Sequence, residues 1–233
     1  VDGEVNNRML QAIIISQYRK KIALKNGINL KPLVMFKSQK IAESQENLDG
    51  FLSLLENLVP ADIQVQRELV SETDEKSSIL KKAFVYFETV GISDADLIAE
   101  LQEDFRKERL LLVDGKNKNK DSLNLLNTLE QPTNQIRAIF AVDMPNEGWD
   151  VLNLFDIVRL YDTRDGKTTK NGFVAGKTTN TEKQLIGRGA RYYPIVIGDN
   201  LEEKYTRKFD DNENNELRVI EQLHYHSANN PRY

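Results

Sequence analysis

Apolar residues follow two different spacings along the chain, and the spacing predicts where helices and strands lie. Between residues 4 and 25 they recur every three or four positions, which predicts a helix that the Asn26-Gly27 pair ends. Short, almost wholly apolar runs predict buried strands at Pro32–Phe36, Leu110–Val113, Ile136–Val142 and Asp156–Tyr161. Helical spacing returns at Ile41–Leu58, Ile79–Thr89, Asp94–Phe105 and Ser122–Glu130.

Strands that alternate with helices predict an α/β fold with a parallel sheet and right-handed crossovers. A charged, mostly helical stretch separates the first two strands, and we interpret it as an insertion at about residues 60–108. We therefore predict one lobe over residues 1–200 and a C-terminal extension over 201–233, which is charged and then helical around Leu217–Leu223.

The composition is that of a folded globular protein, with 39% hydrophobic and 29% charged residues in 233. Cysteine is absent, which excludes disulfides and thiolate metal sites, and no secretion signal is apparent, so a cytoplasmic protein is expected. No apolar run is long enough to cross a bilayer, and no membrane partner is expected. Because the chain begins with Val1 rather than Met, we expect it to be a piece of a longer polypeptide.

A net charge of −4 argues against a dedicated nucleic-acid-binding module, although it allows a protein that touches only a few phosphates.

The first motif with candidate chemistry is Asn146-Glu147-Gly148-Trp149-Asp150, which follows a predicted strand. Ligands gather at the carboxyl ends of the strands of open parallel sheets. Gly148 allows the backbone to approach a ligand, and Asp150 can accept a hydrogen bond from a ribose hydroxyl. The alternative is a structural loop in which Asp150 caps a turn and Trp149 packs in the core.

The second motif is Gln184-Leu185-Ile186-Gly187-Arg188-Gly189-Ala190-Arg191. Arg188 and Arg191 are three residues apart and therefore close together on a helix or turn, and their planar guanidinium groups suit phosphate oxygens. The alternative is a solvated helix end with two surface arginines.

Together the two motifs resemble motifs V and VI of superfamily 2 helicases and translocases. Their sequences are most similar to those in the helicase (Res) subunit of type III restriction-modification enzymes. The same subunit resembles the stretch from Lys208-Phe209-Asp210-Asp211 to Leu223-His224-Tyr225-His226-Ser227. The resemblance implies the second RecA-like lobe of an ATP-dependent DNA translocase, built on a P-loop NTPase-type parallel sheet.

The resemblance also implies roles for single residues. Arg188 and Arg191 would be catalytic, with Arg191 the arginine finger, and ATP and Mg²⁺ would be bound mainly by an absent first lobe. The implied ATP-binding residues here are Gly148, Asp150, Gln184 and Gly187. Nucleic-acid contacts are implied for Lys37 and Ser38, which correspond to motif IV, and for Asn146. Lys116, Lys118 and Lys120 could extend that contact, and a solvated loop is the alternative for Lys37 and for these lysines.

For the full-length protein, the resemblance implies helicase and type III site-specific deoxyribonuclease activity. The implied partners are DNA, the first lobe and a methyltransferase (modification) subunit, and this chain alone would be inactive. The alternatives are another superfamily 2 lobe, such as that of a repair helicase, and a degenerate, non-catalytic interaction module. Intact Arg188 and Arg191 argue against the degenerate module.

Several partial motifs are interpreted as structural. Gly172–Thr178 is one residue too short for a Walker A motif and follows a hydrophilic loop. No strand precedes Thr73-Asp74-Glu75, and Asp114-Gly115-Lys116 lacks a partner acid. His224 and His226 are expected to point in different directions, so no metal site is predicted.

Overall fold

The strands predicted from the four apolar runs all form, and each lies within two residues of its predicted bounds. The computed structural model describes residues 2–71, 79–113, 120–142, 151–161, 167–169, 172–174, 183–187, 193–196, 204–212 and 214–228. Its strands are β1 (Leu33–Lys37), β2 (Leu110–Val113), β3 (Ala138–Ala141), β4 (Leu154–Arg159), β5 (Lys167–Thr169), β6 (Gly172–Val174) and β7 (His224–His226).

The helices also follow the predicted spacing. One of them, α3, was not predicted as a separate helix. They are α1 (Asp2–Lys25), α2 (Ile41–Glu56), α3 (Pro60–Ser71), α4 (Ile79–Thr89), α5 (Asp94–Asp104) and α6 (Lys120–Asn127). Two 3₁₀ helices cover Lys107–Arg109 and Glu216–Glu221, the second in place of the helical turn predicted near the C-terminus.

Five strands form one wholly parallel sheet in the order β2-β3-β1-β4-β7. Because such a sheet is covered on both faces, its central strands are almost continuously apolar. The arrangement confirms the predicted α/β fold class and is consistent with a RecA-like lobe. The strands β5 and β6 form a separate antiparallel hairpin, so the start of the Walker-like segment at Gly172–Val174 lies in a hairpin strand.

The sheet separates two hydrophobic cores. The first core lies between the sheet and α1–α5, and includes the fully buried Ile13, Phe36 and Phe140. The second core lies on the opposite face, under α6 and the short helix at residues 183–187, and includes Met35, Ile139, Ile157 and Leu185.

The predicted insertion and the C-terminal stretch both contribute to the first core. Ile63, Phe87 and Leu101, from α3, α4 and α5, are fully buried there, and Ile220 joins them from the second 3₁₀ helix. The domain bounds stay predictions, but packing is continuous across residues 60 and 200.

Two glycines end helices as their sequence context predicts. Gly27 and Gly91 have φ angles of 72° and 74°, in the left-handed region that side chains disfavour. In each case the next residue donates its N–H to a carbonyl five residues back, Ile28 to Ala23 and Ile92 to Phe87, both at 2.9 Å. This pairing satisfies the carbonyls left at a helix end and turns the chain sharply.

A buried ion pair joins α1 to the sheet. Arg19 Nη1 donates to Asp156 Oδ2 on β4, and neither side chain has any solvent exposure. Arg19 Nε donates to the Val219 carbonyl at 3.0 Å, and Nη2 lies 2.8 Å from His224 Nδ1. Burial alone would raise the pKa of the Asp156 carboxyl, but the Arg19 charge beside it holds the pKa below its usual value. One guanidinium thus links α1, β4 and the C-terminal stretch.

His224 and His226 lie on the same side of β7, so the expectation that they point in different directions was wrong. Side chains alternate along a strand, and residues two apart therefore share a face. Because Arg19 donates to His224 Nδ1, the proton of the neutral ring lies on Nε2, whereas His226 Nε2 donates to Asp156 Oδ1 at 3.1 Å. Burial, reinforced by the Arg19 charge, lowers the pKa of His224 to about 4.

Replacing Arg19 with leucine should lower the free energy of unfolding by about 3–5 kcal/mol, because it leaves the Asp156 carboxylate buried without its cation. Urea unfolding of the full chain at pH 7 measures this loss. The control is Arg106→Leu, which removes a largely exposed pair with Glu103 and should cost less than about 1 kcal/mol. Equal losses in the two variants would contradict the assigned role of Arg19.

The free energy of unfolding should decrease as the pH is lowered from 7 to 5. The pKa of His224 is about 4 in the folded chain and about 6.5 in an unfolded one, so in this range the unfolded chain binds the extra proton. In His224→Gln, which keeps an acceptor for Arg19 but does not titrate, this part of the profile should be flatter. Urea midpoints at several pH values test this, and an unchanged slope in the variant would refute it.

Candidate functional site

The carboxyl ends of β3, β1 and β4 lie side by side, so the residues that follow these strands converge at one edge of the sheet. Ser38 N–H donates to the Ala141 carbonyl and Leu160 N–H donates to the Lys37 carbonyl, both at 2.9 Å. The turn after β1 is therefore fixed between the ends of its two neighbours. This is the edge at which the first motif was predicted to act.

The predicted nucleic-acid contacts at the end of β1 are buried. Lys37 is 2% exposed and Ser38 is 1% exposed. Asn47 Nδ2, from α2, donates to Ser38 Oγ at 2.8 Å and holds the hydroxyl against that helix. In contrast, the side chain of Lys40 in the same turn is 72% exposed. In this turn, Lys40 is therefore exposed to solvent, whereas Lys37 is buried.

A second buried cation, Arg159, lies beside Lys37 at the end of β4. The two residues are register partners on adjacent strands and lie on the face of the second core. Arg159 is 3% exposed, and its guanidinium carbon lies 4.5 Å from the centre of the Tyr161 ring, a cation–π distance. Two buried basic residues thus lie side by side at neighbouring strand ends.

Sequence reasoning missed Arg159, although a signal was present. Both central strands, Leu-Val-Met-Phe-Lys at 33–37 and Leu-Phe-Asp-Ile-Val-Arg at 154–159, end in a basic residue. Only the strand order, with β1 beside β4, shows that these residues are neighbours.

The helix at residues 183–187 carries the first part of the second motif. Leu185 is 5% exposed and packs in the second core, whereas Gln184 and Gly187 are exposed. A Cβ at Gly187 would meet no atom within 4 Å, so packing within this chain does not require a glycine there. The predicted ATP-site residues Gln184 and Gly187 therefore both face outward from an anchored helix.

The flanks of both motifs belong to one hydrophobic cluster. Ala141 and Val151, which lie on either side of the first motif, are buried in the second core together with Leu185 of the second motif. Packing on one face of the sheet thus joins residues that flank the first motif to a residue of the second, although Ala141 and Leu185 are far apart in sequence.

The remaining predicted site residues lie outside the described ranges. These residues are Asn146, Gly148, Asp150, Arg188 and Arg191, and the partial motifs at Thr73-Asp74-Glu75 and Asp114-Gly115-Lys116 lie outside them as well. Their predicted roles stay predictions. Within the described ranges no three histidine or acidic residues are grouped as a metal site would require, and no helix has the length and apolar character to span a membrane.

The fold and the convergence of the motif flanks define the class of this protein as an α/β lobe of RecA-like type. Comparison with known proteins specifies it further. A family model described as HI_1054_N, N-terminal region, matches residues 178–233. The Haemophilus influenzae protein named probable type III restriction-modification enzyme HindVIP Res subunit is 34% identical in an alignment of 174 residues that covers 68% of this chain and 34% of that protein.

A second Haemophilus influenzae protein, which is uncharacterised, is 46% identical over 66 residues, or 27% of this chain and 14% of that protein. No solved structure matches the chain. The similarity confirms the recognition made from the motifs: the chain belongs with the Res subunits of type III restriction-modification enzymes. It spans about a third of the length of the Res subunit that it matches.

Proposed function

We propose that this chain is the second RecA-like lobe of a cytoplasmic ATP-dependent DNA translocase, the restriction subunit of a type III restriction-modification enzyme. The observation that carries the proposal is the shared core on one face of a parallel sheet, which contains Ala141 and Val151 from the flanks of the first motif and Leu185 from the second. The homology to a Res subunit favours this function over a repair helicase lobe.

In this proposal the arginines of the second motif act on ATP from across a cleft between lobes. In the sequence, Arg188 comes directly after the helix at residues 183–187, which Leu185 anchors in the second core, and Arg191 comes three residues later. Arg191 is the arginine finger. Bound ATP supplies the γ-phosphoryl group, on which negative charge is spread in the transition state, and a guanidinium held nearby stabilises that charge.

The described edge carries two buried basic residues, Lys37 and Arg159, at the carboxyl ends of β1 and β4. Gln184 and Gly187 are exposed on the helix at residues 183–187. Gly148 and Asp150 would border the nucleotide from the loop after β3. The phosphate cradle and the Mg²⁺-binding acids belong to the first lobe, so this chain alone should not hydrolyse ATP.

For the whole protein we propose DNA and a methyltransferase (modification) subunit as partners, with DNA cleavage by a separate nuclease domain. Lys37, Ser38 and Asn146 would contact the DNA backbone without reading bases. Since Lys37 and Ser38 are buried, this contact uses the turn that they anchor rather than long, freely exposed side chains.

The test of the proposed function is Arg191→Ala in the full-length enzyme. Loss of transition-state stabilisation should lower DNA-stimulated ATP turnover by about 10³- to 10⁵-fold while DNA affinity stays nearly constant. Arg191→Lys should rescue little, because a point charge lacks the planar fork. The control is Arg106→Ala, a surface arginine paired with Glu103. Near-normal turnover in a folded Arg191→Ala enzyme would favour the degenerate interaction module.

The motif IV contact is tested by Lys37→Met and Lys40→Met, two lysines of the same turn with opposite exposure. If Lys37 contacts DNA, its loss should weaken duplex binding equally for unrelated sequences and reduce the salt slope by about 1. Binding titrations of the full-length enzyme at several salt concentrations measure both quantities. Weakening by Lys40→Met alone would assign the contact to the exposed neighbour and leave Lys37 a structural residue.

A further inference from the structure

The amino ends of four neighbouring strands carry a row of polar residues, at the sheet edge opposite the proposed motor site. Lys31 lies just before β1, Arg109 before β2, Arg137 before β3 and Asn153 before β4. Since these strands are parallel and adjacent in the order β2-β3-β1-β4, their amino ends meet at one edge. All four residues line a cavity of about 260 Å³.

The charges around this cavity are unbalanced. Among the residues that the structure describes, its lining contains four cations, of which Lys20 comes from α1, and two carboxylates, Asp104 and Glu130. Asp104 Oδ1 accepts from Arg109 Nη1 at 2.7 Å, while its Oδ2 accepts from Lys20 and Arg137, both at 2.5 Å. A single carboxylate therefore serves three cations. The described part of the lining therefore has an excess of two positive charges.

Lys31 is the cation of this group that lacks a carboxylate. Its ammonium donates to the Asn134 carbonyl, and among the described residues no acidic side chain lies within ion-pair distance of it. Burial and the Arg137 charge together lower the pKa of Lys31 to about 8, and burial first and then Arg137 also lower the pKa of Lys20. Both shifts have the direction expected where negative charge is lacking.

Arg109 has unused donor capacity at the same place. Its Nε is buried and has no acceptor among the residues that the structure describes. Glu103, which is 59% exposed, contacts Arg109 Nη2 at 3.1 Å and does not line the cavity. An exposed carboxylate is screened by water and offsets little of the charge inside.

We infer that this cavity is a binding site for a small phosphate, either free or as a monoester, held by Lys20, Lys31, Arg109 and Arg137. A phosphate monoester carries a charge of about −1.5 to −2 at pH 7, which matches the excess of two positive charges. Its oxygens can accept from several donors that approach from different directions, as Lys20 on α1 and the three basic residues before β1, β2 and β3 do here. The cavity is slightly smaller than typical small-molecule sites of roughly 300–1,000 Å³, which excludes a nucleic-acid strand.

The site is separate from the proposed ATP and DNA edge, because it lies at the other ends of the same strands. Failure of either proposal leaves the other intact. The functional consequence of the inference is that a phosphate-bearing small molecule stabilises the amino edge of the lobe by binding the native state.

The experiment is a titration of the full chain with inorganic phosphate against sodium chloride at constant ionic strength. Calorimetry should detect saturable phosphate binding, and the melting temperature should rise with phosphate but not with chloride. Lys31→Gln should weaken phosphate binding by at least about tenfold, since a charged hydrogen bond is lost. The matched control is Lys21→Gln, on α1 next to Lys20, which pairs with Glu100 at 2.7 Å away from the cavity and should leave binding unchanged.

A second measurement in phosphate-free buffer does not depend on finding the natural ligand. The Lys31 ammonium lies near the Arg137 charge, and no described carboxylate pairs with it. In phosphate-free buffer, Lys31→Gln should therefore keep or raise the melting temperature. A lowered melting temperature would show that the chain itself satisfies the lysine and would overturn the inference. The inference would also be overturned if phosphate raised the melting temperature no more than chloride does, or if Lys21→Gln weakened phosphate binding as much as Lys31→Gln. Glycerol phosphate in place of inorganic phosphate then distinguishes a monoester from free phosphate by its relative affinity.

Discussion

The geometry of the sheet depends on the buried ion pair between Arg19 and Asp156. The register between β1 and β4 shifts by one residue at Leu33/Val34, so that Phe155 and Asp156 both contact Arg19 on the α1 side. A carboxylate at this depth without a partner would be destabilising by several kcal/mol. The ion pair with Arg19 therefore stabilises the irregular register. It links α1 to β4 and also constrains the path of β4.

The register shift also determines which face of the sheet each side chain at the carboxyl end of β4 lies on. Beyond Asp156 the side chains alternate regularly, which turns Ile157 and Arg159 to the second face and aligns Arg159 with Lys37. A strand without the shift would present every later residue to the opposite face and would direct Arg159 into the first core. An ion pair on one side of the sheet therefore determines where a buried cation lies on the other side.

The parts of the fold that local spacing determines were predicted well, and the parts that distant partners determine were not. Helices α4 and α5 and strand β2 have clear apolar patterns, and their bounds agree with the prediction to within a residue. Strand β7, in contrast, is His-Tyr-His, whose two histidines are accommodated only because Arg19 and Asp156 meet them from α1 and β4. No window of the local sequence contains that information.

The residues of the candidate site likewise differ in whether the sequence could predict them. The two motifs could be recognised from residue types and spacing, because phosphate chemistry needs arginines and close backbone approach whatever the surrounding fold. Apart from Lys37, which the motif IV resemblance had singled out, the cations at the strand ends could not be recognised so directly. Arg137 before β3 and Arg159 at the end of β4 each look in sequence like a polar residue beside an apolar run. Their significance comes from the strand order, which sets residues far apart in the chain side by side.

Charge in this protein is therefore segregated in space, and the net value conceals the segregation. The chain has 36 acidic and 32 basic residues, yet both edges of its sheet hold buried or half-buried cations. At physiological salt, charges separated by more than about 8 Å are largely screened from one another in solvent, whereas buried groups are screened much less. The excess among the described residues of the amino-edge cavity, and not the net charge of −4, consequently sets the anions that this cavity attracts. Net charge describes the outer surface of the lobe and does not predict the local charge at the ends of its strands.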